Sequence, residues 1–271
     1  HLHAVLAIRN LGHVFASTAP GIMMGVGSMG DRLRPYGECD TFISTDAGLS
    51  WRMVARGPHK HVFADQGGLL VMAADAPSID AVQYSFDYGT TWTTLALPEA
   101  IEPVVLTSVP DGTALKILLL GGRRAKTAHE RYASVFIDFA GLSKRKCTQA
   151  DFERFYPATP HGSCVFGRRQ WYLRRKAQAD CFVRDKFHEP QGHDEACACT
   201  PADYECDMGF VRSANGTCQP TMPVPAPPGA CTGNALTFRG PSGYRKVPGN
   251  TCVPPSVPLD APVRRPCSEM A

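Results

Sequence analysis

The sequence has no run of about eighteen apolar residues, so the chain as given holds no helix that would cross a bilayer. It has no charged-then-apolar leader ahead of a cleavage site and it starts at His1, so it reads as an excised or mature piece of a longer protein. It has little surplus charge: 28 Lys and Arg against 25 Asp and Glu leave +3, too mild for the concentrated basic face of a nucleic-acid binder. No stretch of the first half keeps a 3.6-residue apolar period, which leaves amphipathic helices out of the reading. Cysteine is nearly missing there too, where Cys39 stands alone.

The other ten cysteines all follow: Cys147, Cys164, Cys181, Cys197, Cys199, Cys206, Cys218, Cys231, Cys252 and Cys267. They sit in a tail rich in Pro and Gly, which fits small loop-rich units held by covalent bonds. Each bridge offers such a unit ~2–4 kcal/mol, offsetting the small core it can build. The rival explanation is zinc, with Cys197, Cys199 and Cys206 as thiolates and His193 close by. Structural zinc sites bring their ligands as C-x₂₋₄-C pairs, however, and one-residue spacing turns two side chains apart along an extended backbone. Disulfides place the chain in an oxidising lumen or outside the cell.

The first half is a different material, and 44% hydrophobic residues in the chain suffice for a packed core in one or two domains. Short β-type runs such as "DTFISTD", "HVFADQ", "GLLVMAAD", "VQYSFD" and "ALKILLLGG" are divided by Gly, Asp and Pro. "STDAGLSW" and "SFDYGTTW" share Ser-x-Asp-x-Gly-x-Ser/Thr-Trp, starting at Ser44 and Ser85. Four strand runs fit one such period, which is how a propeller blade reads in sequence. Asp46 and Asp87 accept backbone N–H groups across the turn, Gly48 and Gly89 supply positive φ, and Trp51 and Trp92 pack against the neighbouring turn. This is the Asp-box, a mark of fold and not of activity. A sialidase would need an arginine cluster and a Tyr/Glu pair facing a channel; Arg123 and Arg124 follow a strand, but no pattern identifies such a cluster. Two full blades run from Ala16 to Pro98, with an incomplete one through "FIDFAG". Because a blade cannot bury both faces without neighbours, the chain alone is expected to expose a blade edge.

An Asp-box propeller followed by ten cysteines resembles the luminal part of the sortilin and vacuolar sorting receptor family. The resemblance runs through almost the whole chain and is carried by "DTFISTDAGLSW", "GPHKHVFADQGGLLV", "CTQADFERF", "CACTPADYECDMGFVR" and "SGYRKVPGNTC". It implies an all-β chain: the last blades of a ten-bladed Asp-box propeller over 1–142, then a disulfide-rich ten-cysteine module in two subunits, 143–219 and 220–271. The family's connectivity implies the pairs Cys147–Cys181, Cys164–Cys197, Cys199–Cys252, Cys206–Cys218 and Cys231–Cys267. Cys39 departs from the family's pattern and is either a free thiol on the loop "RPYGECD" or the partner of a cysteine elsewhere in the propeller. The resemblance also implies a type I membrane receptor, anchored by a segment outside this chain. Such a receptor binds soluble cargo, such as vacuolar or lysosomal hydrolases and propeptides, and carries it from Golgi to endosome or vacuole. No reaction, nucleophile, cofactor or metal follows from it. The family's ligand contacts lie on earlier blades, so no cargo-binding residue is assigned. The alternatives are an Asp-box glycoside hydrolase of sialidase type with a cysteine-rich accessory domain, or an extracellular adhesion protein.

Four features remain. His59 and His61 flank Lys60, and protonation near pH 6 would gather positive charge there; the bland alternative is a solvated loop and strand edge. "GGRRAK", "SKRKC" and "GRRQWYLRRKAQ" are basic clusters, read either as a patch for acidic cargo or lipid or as ordinary solvated surface. Asn215-Gly-Thr217 is a regular glycan acceptor on a turn, whereas Asn250-Thr-Cys252 is the rarer cysteine form, so Asn215 is expected to be modified and Asn250 not. The Pro-rich "QPTMPVPAPPGAC" reads as a semi-extended spacer within the cysteine tail.

Overall fold

The computed structural model describes residues 2–5, 17–123, 132–142, 144–160 and 162–270. His1, Ala16, Arg124, Lys126, Ser143 and Ala271, which bear on the sequence reading, lie outside them. Every regular element among the described residues is a β-strand or a short 3-10 turn, so the chain is all-β. It divides into two compact units: His1–His161 with Trp171–His193, and Gly162–Gln170 with Asp194–Ala271.

The first unit opens with a four-stranded antiparallel sheet in chain order, β1 (Leu2–Ala4), β2 (Met23–Met29), β3 (Asp40–Ser44) and β4 (Arg52–Ala55). Since β1 belongs to it, this blade begins before the Ala16 start expected from the repeat. The next six strands, β5 (His59–Ala64), β6 (Leu69–Ala74), β7 (Ile79–Ser85), β8 (Thr93–Thr107), β9 (Lys116–Gly122) and β10 (Tyr132–Asp138), form one antiparallel sheet in that order. The expected break at Pro98 is therefore absent. β8 serves both neighbours, its Thr93–Ala96 pairing with β7 and its Glu102–Thr107 with β9. Pro98 donates no ladder bond, and it falls where the register to β7 shifts, between the Ala81–Ala96 and Ile79–Ile101 pairs.

Burial explains why β6 reads as an unbroken apolar run. Leu69, Val71 and Ala73 pack into a cluster with Val82, Ile101, Ile117 and Leu119. Leu70 and Met72 face the other way, into a second cluster with Met24, Ile43 and Phe63. A strand covered on both faces has no polar side to alternate with. β10 is different: Tyr132 and Phe136 are 77% and 73% exposed, and no strand pairs beyond it among the described residues.

The remaining strands are β11 (Phe152–Phe155), β12 (Cys164–Val165), β13 (Arg168–Arg175), β14 (His193–Ala196), β15 (Tyr204–Cys206), β16 (Phe210–Arg212), β17 (Cys218–Pro220), β18 (Thr237–Gly240), β19 (Tyr244–Lys246) and β20 (Val263–Pro266). In the first unit β11 pairs with Tyr172–Arg175 of β13. In the second, β12 pairs with Arg168–Arg169, β15 with β19, β16 with β17 and β18 with β20. The division expected at 219/220 falls inside β17. Residues on both sides of it stay in one unit, where the Pro-rich segment is tied down by Val224, which is buried and donates its N–H to Glu269 O at 2.9 Å.

"CTQADF" and "CTPADY" prove to be two copies of one local structure. Thr148 and Asp151 form a capping box on a short 3-10 turn, and Thr200 and Asp203 form the same box. Phe152 then pairs with Arg175 and Tyr204 with Lys246. Cys147 N donates to Phe182 O and Phe182 N to Arg145 O; Cys199 N donates to Val253 O and Val253 N to Cys197 O, all at 2.8–2.9 Å. Each copy closes with a disulfide, Cys147–Cys181 in one and Cys199–Cys252 in the other.

Candidate functional site

Both Asp-box turns are built by the residues the repeat singles out. Ser44 Oγ donates to Asp46 Oδ1 at 2.7 Å and accepts from Gly48 N at 2.8 Å; Ser85 Oγ does the same with Asp87 and Gly89 at 2.7 and 2.9 Å. Asp46 takes Ser50 N at 2.9 Å and Asp87 takes Thr91 N at 2.8 Å. Burial alone raises both carboxyls, but the hydrogen bonds from Ser50 and Ser44, and from Thr91 and Ser85, outweigh it and leave both below the ordinary value. Trp51 and Trp92 donate from Nε1 to the carbonyls of Gly48 and Gly89 in their own turns, at 3.1 and 3.0 Å. Sequence reasoning missed that the residue before each glycine is left-handed as well, Ala47 at φ 62° and Tyr88 at φ 55°, so the turn has two positive φ values in succession.

Tyr88 shows what this conformation does. It is 3% exposed, and its hydroxyl donates to Arg175 O at 2.6 Å. Arg175 is equally buried; its guanidinium donates to Cys181 O at 2.8 Å, to Gly68 O at 2.8 Å and to Phe86 O. Asp65, fully buried after β5, accepts from Val183 N at 2.9 Å and from Arg184 N at 3.4 Å. Burial pushes the Asp65 carboxyl up to about 6, against the pull of those N–H groups and of Arg175. Arg174 adds bonds to Pro20 O and Thr45 O at 3.2 and 2.8 Å and packs over Phe155 at 4.1 Å. The blade and the loop closed by Cys147–Cys181 are thus clamped by side chains reaching backbone groups. Nothing in the sequence marks Asp65 or Arg175 as clamp residues, because their partners are carbonyls and amides far away along the chain.

The ten cysteines of the tail form five disulfides, Cys147–Cys181, Cys164–Cys197, Cys199–Cys252, Cys206–Cys218 and Cys231–Cys267. Cys197, Cys199 and Cys206, the candidate zinc thiolates, are each used in one. A family model described as "Sortilin, neurotensin receptor 3, C-terminal" matches residues 108–267, and one described as "Sortilin, neurotensin receptor 3" matches residues 1–106. The chain belongs to the sortilin family. It is 49% identical over 255 residues to "Vacuolar protein sorting/targeting protein 10" of Mycosarcoma maydis, covering 93% of this chain and 17% of that protein. The proteins of the same name in Aspergillus fumigatus and Uncinocarpus reesii are 43% and 42% identical over 276 and 277 residues, covering all of this chain and 18% of theirs. The chain therefore spans less than a fifth of the length of these relatives. Their names are those of sorting or targeting proteins, not of enzymes, and lend the sialidase alternative no support.

Other candidate residues in this sortilin-family chain fall into place. Cys39 is unpaired and buried, with its thiol directed at Arg34 O and Pro35 O; burial pushes that thiol up. His59 and His61 are 9% and 3% exposed on β5, which corrects the expectation of a solvated loop: their strand is the edge of the six-stranded sheet and packs against the four-stranded one. His59 Nδ1 lies 3.1 Å from Thr41 Oγ1 and 3.0 Å from Gly57 O, and burial holds its pKa down. Lys60 is paired with Asp75 at 3.2 Å, and Asp75 also accepts from Tyr36 OH at 2.8 Å. The basic clusters are largely ion-paired surface: Lys144 with Asp180, Lys146 with Asp185 at 2.5 Å, Arg168 with Asp194 at 3.5 Å and Arg169 with Glu195 at 2.6 Å.

One open groove, ≈ 640 Å³, borders the second Asp-box hairpin in the first unit. Tyr84 and Phe86 meet edge to face at 5.5 Å on its floor, and Lys144 lies 4.5 Å over the Phe86 ring. No helix among the described residues is long and apolar enough to cross a membrane.

Proposed function

We propose that this chain is part of the luminal region of a type I membrane sorting receptor. Residues 1–142 supply the last propeller blades, and 143–271 the ten-cysteine module that follows them. The parent binds soluble hydrolases or propeptides through its propeller and carries them from the Golgi to the endosome or vacuole. The observation that carries this reading is the join itself: Asp-box blades fastened through Arg175 and Asp65 to a disulfide-closed loop, in a chain of the sortilin family whose fungal relatives are named for vacuolar sorting. Nothing in the fastening is catalytic, since its charged groups are spent on backbone partners. In this reading the piece closes the propeller and links it towards the membrane, the five disulfides suit an oxidising lumen, and Asn215 carries a glycan. No cargo residue is assigned.

A chimera tests the proposal. This chain replaces the matching segment of the Mycosarcoma maydis relative in cells lacking the native copy, and a vacuolar hydrolase is assayed inside and outside the cells. Retention of the hydrolase is the expected result. A chimera present at normal level with oxidised cysteines that nevertheless lets the hydrolase escape to the medium refutes the reading.

A further inference from the structure

In the second unit, β18 and β20 pair so that Phe238 lies opposite Arg265 and Arg239 opposite Arg264. Strand alternation divides the ribbon into two faces. Phe238 and Arg265 are buried on one, while Thr237, Arg239, Arg264 and Pro266 are exposed on the other. Arg265 is committed beneath the ribbon: it donates to Ser242 O at 3.1 Å and to Pro241 O at 2.5 Å, bonds Glu269 at 2.8 Å and lies 5.0 Å over Phe210. The side chains of Arg239 and Arg264 have no carboxylate and no hydrogen-bond partner among the described residues.

Two like charges directly opposite on an antiparallel pair repel one another. Elsewhere in the tail, arginines on paired strands meet carboxylates, as Arg174 meets Glu153 and Arg245 meets Glu205, both at 2.9 Å. Here two arginines stand directly opposite one another on paired strands, and neither meets a carboxylate. The strands that carry them are tied at one end. Cys267, next after β20, is bonded to Cys231, and its N–H donates to the carbonyl of Leu236, next before β18, at 2.9 Å. A ribbon fixed from below and at one end has already lost the backbone freedom that binding would otherwise take away.

We propose that Arg239 and Arg264 form a clamp for a phosphomonoester. Its charge of roughly −1.5 to −2 matches the two cations, and its three terminal oxygens accept the N–H forks of both guanidiniums. A carboxylate or a sulfate ester carries a single charge and leaves the repulsion half relieved. The clamp goes beyond the receptor reading and stands whether or not that reading does.

Equilibrium dialysis of the full oxidised chain against radiolabelled inorganic phosphate, at constant ionic strength, should show saturable binding at one phosphate per chain. Arg239→Gln and Arg264→Gln should each weaken it about fivefold, the upper end for an exposed charge pair. Arg32→Gln removes a charge that is 84% exposed and should change nothing. Flotation of the chain with vesicles containing phosphatidylinositol 4-phosphate, lost in the same two variants, supports the clamp and makes its source a lipid headgroup. Binding of glucose 6-phosphate without flotation supports it with a soluble source. Phosphate binding that never saturates, or that falls as much in Arg32→Gln as in the clamp variants, overturns it.

Discussion

Replacing Asp65 by Asn tests the clamp between blade and loop through its dependence on pH. Asp65 is fully buried, and its carboxyl is pushed up from 3.8 to about 6. A carboxyl raised in the folded state stabilises the fold most below its unfolded value, where it is protonated in both states. That contribution is lost as pH rises through about 6. At ~1.4 kcal/mol per pH unit the whole loss is about 3 kcal/mol, of which about 1.4 kcal/mol falls between pH 5 and 7.5. The amide side chain of Asp65→Asn keeps an oxygen for Val183 N–H and carries no charge to bury. Urea unfolding of wild type and Asp65→Asn, with disulfides intact, should therefore show a stability difference that moves in the variant's favour by about 1.4 kcal/mol from pH 5 to 7.5. His59 and the surface carboxylates titrate in both proteins and cancel in the comparison. A difference flat with pH, or one that moves the other way, would refute the assignment of Asp65 as a carboxylate held at an energetic cost to anchor Val183 and Arg184.

Three further outcomes follow from the same contacts. Arg175→Met should lower unfolding stability by about 3 kcal/mol, because buried carbonyls of Gly68, Phe86 and Cys181 lose a charged donor; Arg175→Lys should lose less, since Lys246 in the second copy still reaches Cys252 O at 3.1 Å. Mass spectrometry after glycosidase treatment should find the glycan mark on Asn215, exposed on its turn, and none on Asn250, whose Nδ2 donates to Asp203 at 2.7 Å and whose sequon cysteine is disulfide-bonded. Thiol titration of the non-reduced chain should count one thiol in denaturant, from Cys39, and almost none in the native state, where that residue is 1% exposed.

What could be read in advance was what repeats locally. The Asp-box turns were legible because Ser, Asp, Gly and Trp at fixed spacing bond mostly to one another within eight residues, so the whole device is written contiguously. The strand at Leu69–Ala74 was legible from its apolar run, but not that it would feed two cores, which depends on Met24 and Ile137 arriving from distant strands. The joining of two blades through β8 was hidden by Pro98, whose presence argues for an end of strand yet is tolerated at a register shift. The Cys-Thr-x-Ala-Asp-aromatic repeat is only six residues long, and its two copies are masked in sequence by different intervening lengths: the disulfide of the second spans 53 residues, against 34 in the first.

The two copies also show how one scaffold is turned to a partner. At the position after the closing cysteine, the first copy has Phe182, fully buried and 5.6 Å from Phe86 of the blade; the second has Val253, 55% exposed. One residue on, Val183 gives its N–H to Asp65, whereas Pro254 has none to give. At the cation, Arg175 spans from its own loop to two blade carbonyls, while Lys246 reaches only its own loop. Fold and disulfide are kept in both, but at these three positions only the first copy has the plug and the donors that grip the blade. Exchanging those three residues singly would break the clamp at one point each, but only the full set Lys246→Arg, Val253→Phe and Pro254→Val would give the second copy the donors and the plug that the first one uses.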